Sequence, residues 1–353
     1  MGKPHNNISA DEIKFGVAGF GGCGVNTVRD LAKFDPNNHH HLHLMAANTD
    51  ARQLTRKFYS DNESDQMLKM ILKKWLGQTG RLKVLQLGKK KEGDDDLGFG
   101  HGAGGDPVFG ERAAQESEEE IKAFLKEMTA VILTGGMGGG TGTGAIPVVA
   151  KYCREMGKLA WAVIVMPFAI EGRGPKALVG RNNIASILPT IVIYNQKLQS
   201  KEVSLEQTKT MVNESCIVRM LMVMKEMIQE VGDFMNSDLR DLKTLLGCGN
   251  RLLFGDCQVE NAMEMSQVGE KLLANLLQDS DIIQNARMLM LSFHGAWTQA
   301  EIEKLTLIIK GEIKTKLSVG NIEYEPEVHI GTYTTKDKSK WVAMLAAAQE
   351  EGQ

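Results

Sequence analysis

Glycine-rich segments carry the clearest chemical signal in this sequence. The longest, residues 135–144, reads GGMGGGTGTG and holds seven glycines and two threonines. The N–H groups of such a turn, together with threonine hydroxyls, form a set of donors that suits a di- or triphosphate. Because every glycine costs conformational entropy on folding, a purely structural loop would rarely hold so many. No GK[ST] follows, so the pattern predicts a phosphate loop that is not of the Walker type.

Three shorter glycine-rich segments also lie where predicted strands end. Residues 19–24 (GFGGCG) match the dinucleotide-binding pattern GxGxxG, which further requires an acidic residue about 20 residues later. Asp50, after the second predicted strand, is a late candidate for that residue, so a nicotinamide-dependent oxidoreductase stays open as an alternative. The other two segments are residues 98–105 and residues 171–174, of which the latter could hold a sugar or a cation.

Two carboxylates in the second half of the chain could serve catalysis. Asp238 and Asp241 are three residues apart, which places them on one face at the start of a predicted helix. Carboxylates in such a pair can orient or polarise a water for phosphoryl transfer, directly or through a cation. The alternative is that both merely cap the helix, where acidic residues are favoured.

The elements that must position these residues alternate between strands and helices, which predicts a doubly wound parallel sheet. A long helical stretch then spans residues 204 to about 231, or ~40 Å at 1.5 Å per residue, and could join two domains. We therefore predict a Rossmann-like nucleotide-binding domain at residues 1–200, a central helix at 201–232, a mixed α/β domain at 233–346 and a polar tail at 347–353. In the first half, strands are predicted at 13–18, 42–47, 130–134, 160–166 and 191–194, and helices at 25–34, 64–76, 111–128 and 144–156. In the second half, helices are predicted at 238–246, 260–278 and 299–317, and strands at 252–255, 287–293, 327–333 and 340–345.

Composition and charge limit the class of protein. The 353 residues fit two domains, and 42% hydrophobic with 24% charged residues is typical of a globular protein. The net charge of −3 lacks the basic excess of a nucleic-acid-binding protein. Five scattered cysteines indicate reduced thiols in the cytoplasm, and neither they nor the histidines at 39–41 predict a metal site. The longest apolar run, residues 159–170, is too short for a membrane span and contains Pro167.

Taken together, these motifs resemble the tubulin/FtsZ superfamily of GTP-binding cytoskeletal proteins. Residues 138–144 (GGGTGTG) match the phosphate signature of that superfamily in full. Residues 235–241 resemble the FtsZ synergy loop with its Asn-x-Asp-x-x-Asp pattern. Residues 48–51, 102–104, 167–172 and 193–198 are similar to the remaining nucleotide loops of FtsZ, and residues 100–102 have a feature of archaeal CetZ.

The resemblance implies a GTPase that binds GTP or GDP with magnesium and polymerises head to tail with itself. Phosphate contacts are implied for Gly21, Gly22, Cys23, Gly24, Ala103, Gly104, Gly105, Gly138, Gly139, Gly140, Thr141, Gly142 and Thr143. Nucleoside contacts are implied for Asn26, Glu171 (ribose), Asn195 and Asn213 (guanine), with Asp50 and Arg173 in the adjoining loops. Asn236, Asp238 and Asp241 would reach the γ-phosphate held by the next subunit, so two chains would complete one active site.

Two departures from FtsZ modify these expectations. Pro175 stands where FtsZ has an arginine, which leaves Arg173 or Lys176 as its replacement. The sequence ends soon after the last predicted strand, without the long tail and adaptor peptide of division FtsZ, so we expect the usual division adaptors not to bind. A GTP-binding structural polymer with little hydrolysis is the main alternative function.

Overall fold

A computed structural model describes residues 13–35, 42–59, 66–78, 80–88, 100–194, 239–260, 263–276, 280–313, 325–333 and 339–350, with residues 217, 218, 220, 221 and 224. The chain divides into two compact units. The first comprises Met1–Ala160 with Pro175–Gly180, and the second comprises Trp161–Gly174 with Arg181–Gln353.

The first unit contains a parallel sheet with helices in the connections. Its strands are β1 (Phe15–Phe20), β2 (Leu42–Asn48), β3 (Leu82–Gln86) and β4 (Ala130–Gly136). Its helices are α1 (Gly21–Phe34), α2 (Ala51–Phe58), α3 (Gln66–Lys73), α4 (Pro107–Glu116), α5 (Glu118–Glu127) and α6 (Thr141–Glu155), and a π-helical turn (Lys74–Gln78) follows α3. The strands lie in the order β3-β2-β1-β4, and every described pairing is parallel. All residues of β1 are buried, as expected for a parallel strand that is covered on both faces.

The second unit has a mixed sheet. Its elements are β5 (Leu159–Met166), α7 (Gly174–Ala185), β6 (Thr190–Tyr194), α8 (Leu239–Gly247), β7 (Arg251–Val259), α9 (Met265–Ala274), β8 (Ala286–His294), α10 (Gln299–Glu312), β9 (Glu327–Tyr333) and β10 (Lys340–Ala348). Short 3-10 turns lie at Ala169–Glu171 and Ser280–Asn285, and residues of α7 are divided between the two units. The strand order is β5-β6-β7-β10-β8-β9, and of these described strands only β10 runs antiparallel to its neighbours. Apolar side chains of α9 and α10, such as Leu272 and Leu305, pack on this sheet in one core cluster.

The α/β fold class is confirmed, and several predicted elements are corrected. The helix predicted at 111–128 is two helices, because the backbone at Ser117 leaves the helical region and its hydroxyl accepts from the Gly88 N–H at 3.0 Å. The elements α2, β3 and α7 were not predicted. β10 continues through Ala348, two residues into the predicted polar tail, because Ala347 and Ala348 are buried and pair with β7.

The predicted central helix at 201–232 lies outside the described residues except for the five named above. The division into compact units falls at residue 160, whereas the predicted nucleotide-binding domain extends to residue 200. The predicted domain boundaries therefore stay a prediction.

Candidate functional site

The carboxyl end of β1 leads through a sharp turn into α1. Gly21 occupies this turn with φ +70°, a left-handed conformation that glycine adopts without strain. A side chain at Gly24 would lie 2.6 Å from the carbonyl oxygen of Thr134, so α1 and β4 approach closely here. Among the described residues no side chain caps the start of α1, and its first turn holds no acidic residue. Helix N–H groups and the positive end of the helix dipole are therefore available at this turn.

A second uncapped helix start follows β4. The chain turns at Gly138, where φ is +84°, and α6 begins after Gly140 with no side-chain cap in the described part of the chain. Two helices of the same unit, α2 and α4, differ, since the carboxylates of Asp50 and Asp106 accept from their first N–H groups. The starts of α1 and α6, which follow two of the predicted phosphate loops, have neither a capping side chain nor an acidic residue in the first turn among the described residues. Such starts retain N–H donors for an anion.

The glycines of the loop before α6 fall into two groups. A Cβ on Gly140 would lie 2.5 Å from the Ala103 Cβ, and one on Gly142 would lie 2.5 Å from the Gly136 carbonyl oxygen. These glycines are required by internal packing. Gly139 differs, because a Cβ there would meet no atom within 4 Å of the described structure and its φ is not in the left-handed region. Neither packing nor backbone conformation accounts for glycine at 139, and the residue borders open space.

Two threonine hydroxyls at this loop differ in whether they have a hydrogen-bond partner. The Thr141 Oγ1 is 2.7 Å from the Thr49 Oγ1 and 3.3 Å from the Asn48 Oδ1, which links α6 to the end of β2. The Thr143 Oγ1 is buried and has no hydrogen-bond partner among the described residues. A buried hydroxyl without a partner is costly, and a ligand oxygen would satisfy it.

The glycine segment before α4 adjoins the same region. The Gly100 carbonyl accepts from the Ala51 N–H at 2.9 Å, so this segment is tied to the start of α2. The next turn is closed by the Asp106 N–H, which donates to the Ala103 carbonyl at 2.8 Å. The Lys176 Nζ donates to the Gly105 carbonyl at 2.6 Å, which places an ammonium group at this turn. The structure thus brings all three predicted phosphate loops of the first unit together.

The helices α4 and α6 touch through their backbones. A Cβ on Gly110 would lie 3.1 Å from the Thr141 Cα and still closer to the Gly140 carbonyl oxygen. A Cβ on Gly144 would lie 2.5 Å from the Glu111 nitrogen. No side-chain layer separates the two helices at these glycines, so the loops that precede them are held in a fixed relation.

Other predicted residues of the first unit lie on or beside these loops. Gly22 and Asn26 are exposed on the first turns of α1, and Cys23 is partly exposed between them. The Asp50 Oδ1 accepts from the N–H groups of Arg52 at 3.0 Å and Gln53 at 3.3 Å, so its main observed role is to cap α2. Its contribution to a ligand site stays a prediction.

The predicted sugar-loop residues belong to the second unit. The Glu171 Oε1 accepts from the Phe168 N–H at 3.0 Å, and the Arg173 Nη1 lies 3.6 Å from the Glu171 Oε2. Both oxygens of the carboxylate therefore already have a partner on its own loop. Of the two basic residues considered as replacements for the missing arginine, Lys176 contacts a phosphate loop and Arg173 pairs with Glu171.

The predicted catalytic Asp241 is in the first turn of α8 and is about one-fifth exposed. Its Oδ1 lies 2.9 Å from the Nδ1 of His329 on β9. Sequence reasoning missed His329, because nothing in the spacing of residues 241 and 329 signals a contact. Asn195, Asn213, Asn236 and Asp238 lie outside the described residues, and their roles stay predictions.

The helices that the structure describes include none that is both long and apolar enough to cross a membrane.

Comparisons with known proteins agree with the loop geometry. The profile of the Tubulin/FtsZ family, GTPase domain, matches residues 14–201. Cell division protein FtsZ 1 of Pyrococcus horikoshii is 31% identical over 318 residues, which cover 88% of this chain and 77% of that protein. Cell division protein FtsZ of Methanothermobacter thermautotrophicus is 31% identical over 312 residues, or 87% of this chain and 73% of that protein.

Solved structures share the fold of this chain. An empty FtsZ dimer of M. jannaschii matches with a TM-score of 0.71 at 26% identity, covering 95% of this chain and 88% of that chain. CetZ2 of Haloferax volcanii shares the fold, with a TM-score of 0.73 at 18% identity over 97% of this chain and 95% of that chain. The resemblance inferred from the motifs is confirmed. The chain belongs to the tubulin/FtsZ family and contains the GTPase domain of that family.

Proposed function

We propose that this chain binds GTP on the glycine loops of its first unit, assembles head to tail, and hydrolyses GTP at the contact between subunits. The observation that carries the binding step is the open space beside Gly139, next to two uncapped helix starts and the unpartnered Thr143 hydroxyl. Membership in a GTPase family supports a guanine nucleotide as the ligand and argues against the oxidoreductase alternative.

The residues fit a bound nucleoside triphosphate. The first turns of α1 and α6 would donate N–H groups to the phosphates, and the Thr143 hydroxyl would add a donor. The turn at residues 103–105 would meet the terminal phosphate, where the ammonium of Lys176 would offset negative charge. Glu171 with Asn26, Asn195 and Asn213 would hold the ribose and base.

Magnesium would be carried mainly by the nucleotide. The described residues contain no group of three or more His, Cys, Asp or Glu side chains that could form a cage. Magnesium typically retains several waters and binds substrate phosphates, so such a cage is not required. When bound, the ion would neutralise charge that develops on the phosphates.

Hydrolysis requires a water held in line with the terminal phosphate. Asp241, together with Asn236 and Asp238, would orient that water when the α8 end of one subunit meets the phosphate loops of the next. Such a head-to-tail contact is heterologous and does not close, so repeated contacts produce a filament. The dimer of the M. jannaschii relative supports self-association of this chain.

Reduced thiols and the nucleotide suit a cytoplasmic location.

The test is phosphate release from GTP with magnesium across a range of protein concentrations. We expect activity per molecule to rise steeply above a threshold concentration, because each site needs two chains. A flat activity per molecule would refute the shared site. Binding of GTP without any release would favour the structural polymer that hydrolyses little.

The variant Asp241→Ala tests the catalytic role of the carboxylate. We expect GTP binding to survive and turnover to fall by about 10²–10⁴-fold, the usual contribution of a positioned acid or base. Glu270→Ala, which removes an exposed carboxylate from α9, is the matched control and should leave turnover unchanged. Unchanged turnover in Asp241→Ala would refute the catalytic role of this carboxylate.

A melting temperature raised by NAD but not by GTP would restore the oxidoreductase alternative.

A further inference from the structure

The His329 side chain lies between two carboxylates. On one side its Nδ1 is 2.9 Å from the Asp241 Oδ1, and on the other its Nε2 is 2.9 Å from the Glu327 Oε1. His329 and Glu327 are two residues apart on β9, so their side chains share one face of the strand. Asp241 comes from the first turn of α8. The ring thus bridges a helix start and a strand of the same unit.

The contact with Glu327 orients the His329 ring relative to Asp241. A carboxylate on one imidazole nitrogen fixes the plane of the ring and directs the other nitrogen, as carboxylates do for metal-binding histidines. Both contacts are hydrogen bonds when both ring nitrogens carry protons, since a carboxylate only accepts. The Nδ1 contact to one oxygen restrains the Asp241 carboxylate at the helix start.

We propose that His329 is a positioning residue, which holds the Asp241 carboxylate in the orientation that a water between two subunits requires. The inference rests on the proposed function, because it needs Asp241 to act on a water. Glu327 acts one step further away, by fixing the ring. The Glu327 side chain is about two-thirds exposed, whereas those of His329 and Asp241 are about one-quarter and one-fifth exposed, so the ring contact to Asp241 is the better protected of the two.

Two substitutions of His329 distinguish its contact with Asp241 from its contact with Glu327. An asparagine amide nitrogen can take the place of the ring Nδ1, so His329→Asn keeps a donor for Asp241 and loses the contact to Glu327. A glutamine amide nitrogen can take the place of Nε2, so His329→Gln keeps a donor for Glu327 and loses the contact to Asp241. The two variants differ by one methylene and have the same charge, so strand packing affects both in a similar way.

We expect the two variants to differ in turnover and to agree in GTP affinity and melting temperature. Loss of an orienting partner typically costs about 10–100-fold, so kcat of His329→Gln should fall by about that factor while His329→Asn stays within about twofold of the wild type. Turnover is measured well above the threshold concentration, with the assembled fraction determined by sedimentation. In the Asp241→Asn background, His329→Gln should cause no further loss.

The outcomes distinguish this inference from the proposed function. Equal turnover in the two variants, whether normal or reduced, would overturn the positioning role and leave the proposed function intact. A further loss in the Asp241→Asn background would also overturn it, because His329 would then act by another route. A wild-type protein that binds GTP but releases no phosphate would overturn the proposed hydrolysis and the inference together.

Discussion

Adjacent glycines in the phosphate loop should respond oppositely to alanine. Gly139→Ala adds a methyl group where no described atom lies within 4 Å, so the empty protein should not lose stability. Loss of glycine freedom in the unfolded chain should instead raise the free energy of unfolding by up to about 1 kcal/mol. Gly140→Ala adds a methyl group 2.5 Å from the Ala103 Cβ and 2.8 Å from the Asp106 carbonyl oxygen. Overpacking of this kind costs about 1–3 kcal/mol.

Two assays on the same pair of proteins check this contrast. Urea unfolding without nucleotide should place Gly139→Ala at or above the wild type and Gly140→Ala below it. GTP affinity of Gly139→Ala should fall at least about tenfold, or 1.4 kcal/mol, because the methyl group occupies space for the phosphates. Gly311→Ala in α10, another glycine whose Cβ would meet no described atom within 4 Å, is the control and should bind GTP normally.

Either of two results would refute this reasoning. Normal GTP affinity in Gly139→Ala would mean that the open space beside this residue is not ligand space. A loss of stability in Gly139→Ala as large as that in Gly140→Ala would mean that atoms do surround position 139.

Further predictions concern the second unit. Glu350→Gln should lower its free energy of unfolding by about 3 kcal/mol, because the fully buried guanidinium of Arg251 loses the carboxylate whose Oε2 lies 2.6 Å from its Nη1. Urea unfolding measures this loss, and a change below about 0.5 kcal/mol would contradict it. Burial lowers the pKa of His294 to about 3, so the folded protein keeps this ring neutral while the unfolded chain protonates it near its ordinary pKa of 6.5. Stability is therefore complete above about pH 6.5 and falls by up to about 1.4 kcal/mol per unit as the pH drops towards 3. His294→Gln should reduce that slope in urea unfolding at pH 7.5 and 5.5, and an unchanged slope would assign it to other groups.

The sequence predicts elements well where apolar residues are large and periodic, and less well elsewhere. The helix α7 buries Ala177, Gly180 and Ile184, which are correctly spaced for a helix face. Two of these residues are small, so no hydrophobic stripe is visible in the sequence, and Leu178 and Val179 are exposed instead. The helix α2 is short and buries only two side chains, so its start is indicated mainly by its aspartate cap.

In the candidate site, too, some features are predictable from the sequence and others are not. The three phosphate loops are predictable because glycine and threonine composition reports local backbone chemistry. The contact between the Thr49 and Thr141 hydroxyls joins residues 92 apart, and the Lys176 contact with Gly105 joins residues 71 apart. Neither contact has a local signature, since each depends on which strands become neighbours in the sheet. The pairing of His329 with Asp241 cannot be predicted from the sequence either, because it too joins residues that are far apart in the chain.

The backbone contact between α4 and α6 determines how a movement in the site would travel. Side-chain layers absorb small displacements by rotamer changes, whereas backbone atoms in contact cannot yield in that way. We therefore expect a shift of the loop before α6 to move α4 with it. The ten residues of α4 form a stiff rod of about 15 Å, which ends at the Ser117 hydroxyl bonded to the Gly88 N–H beyond β3. The first unit thus contains a continuous series of backbone and hydrogen-bond contacts from its phosphate loops to the edge of its sheet.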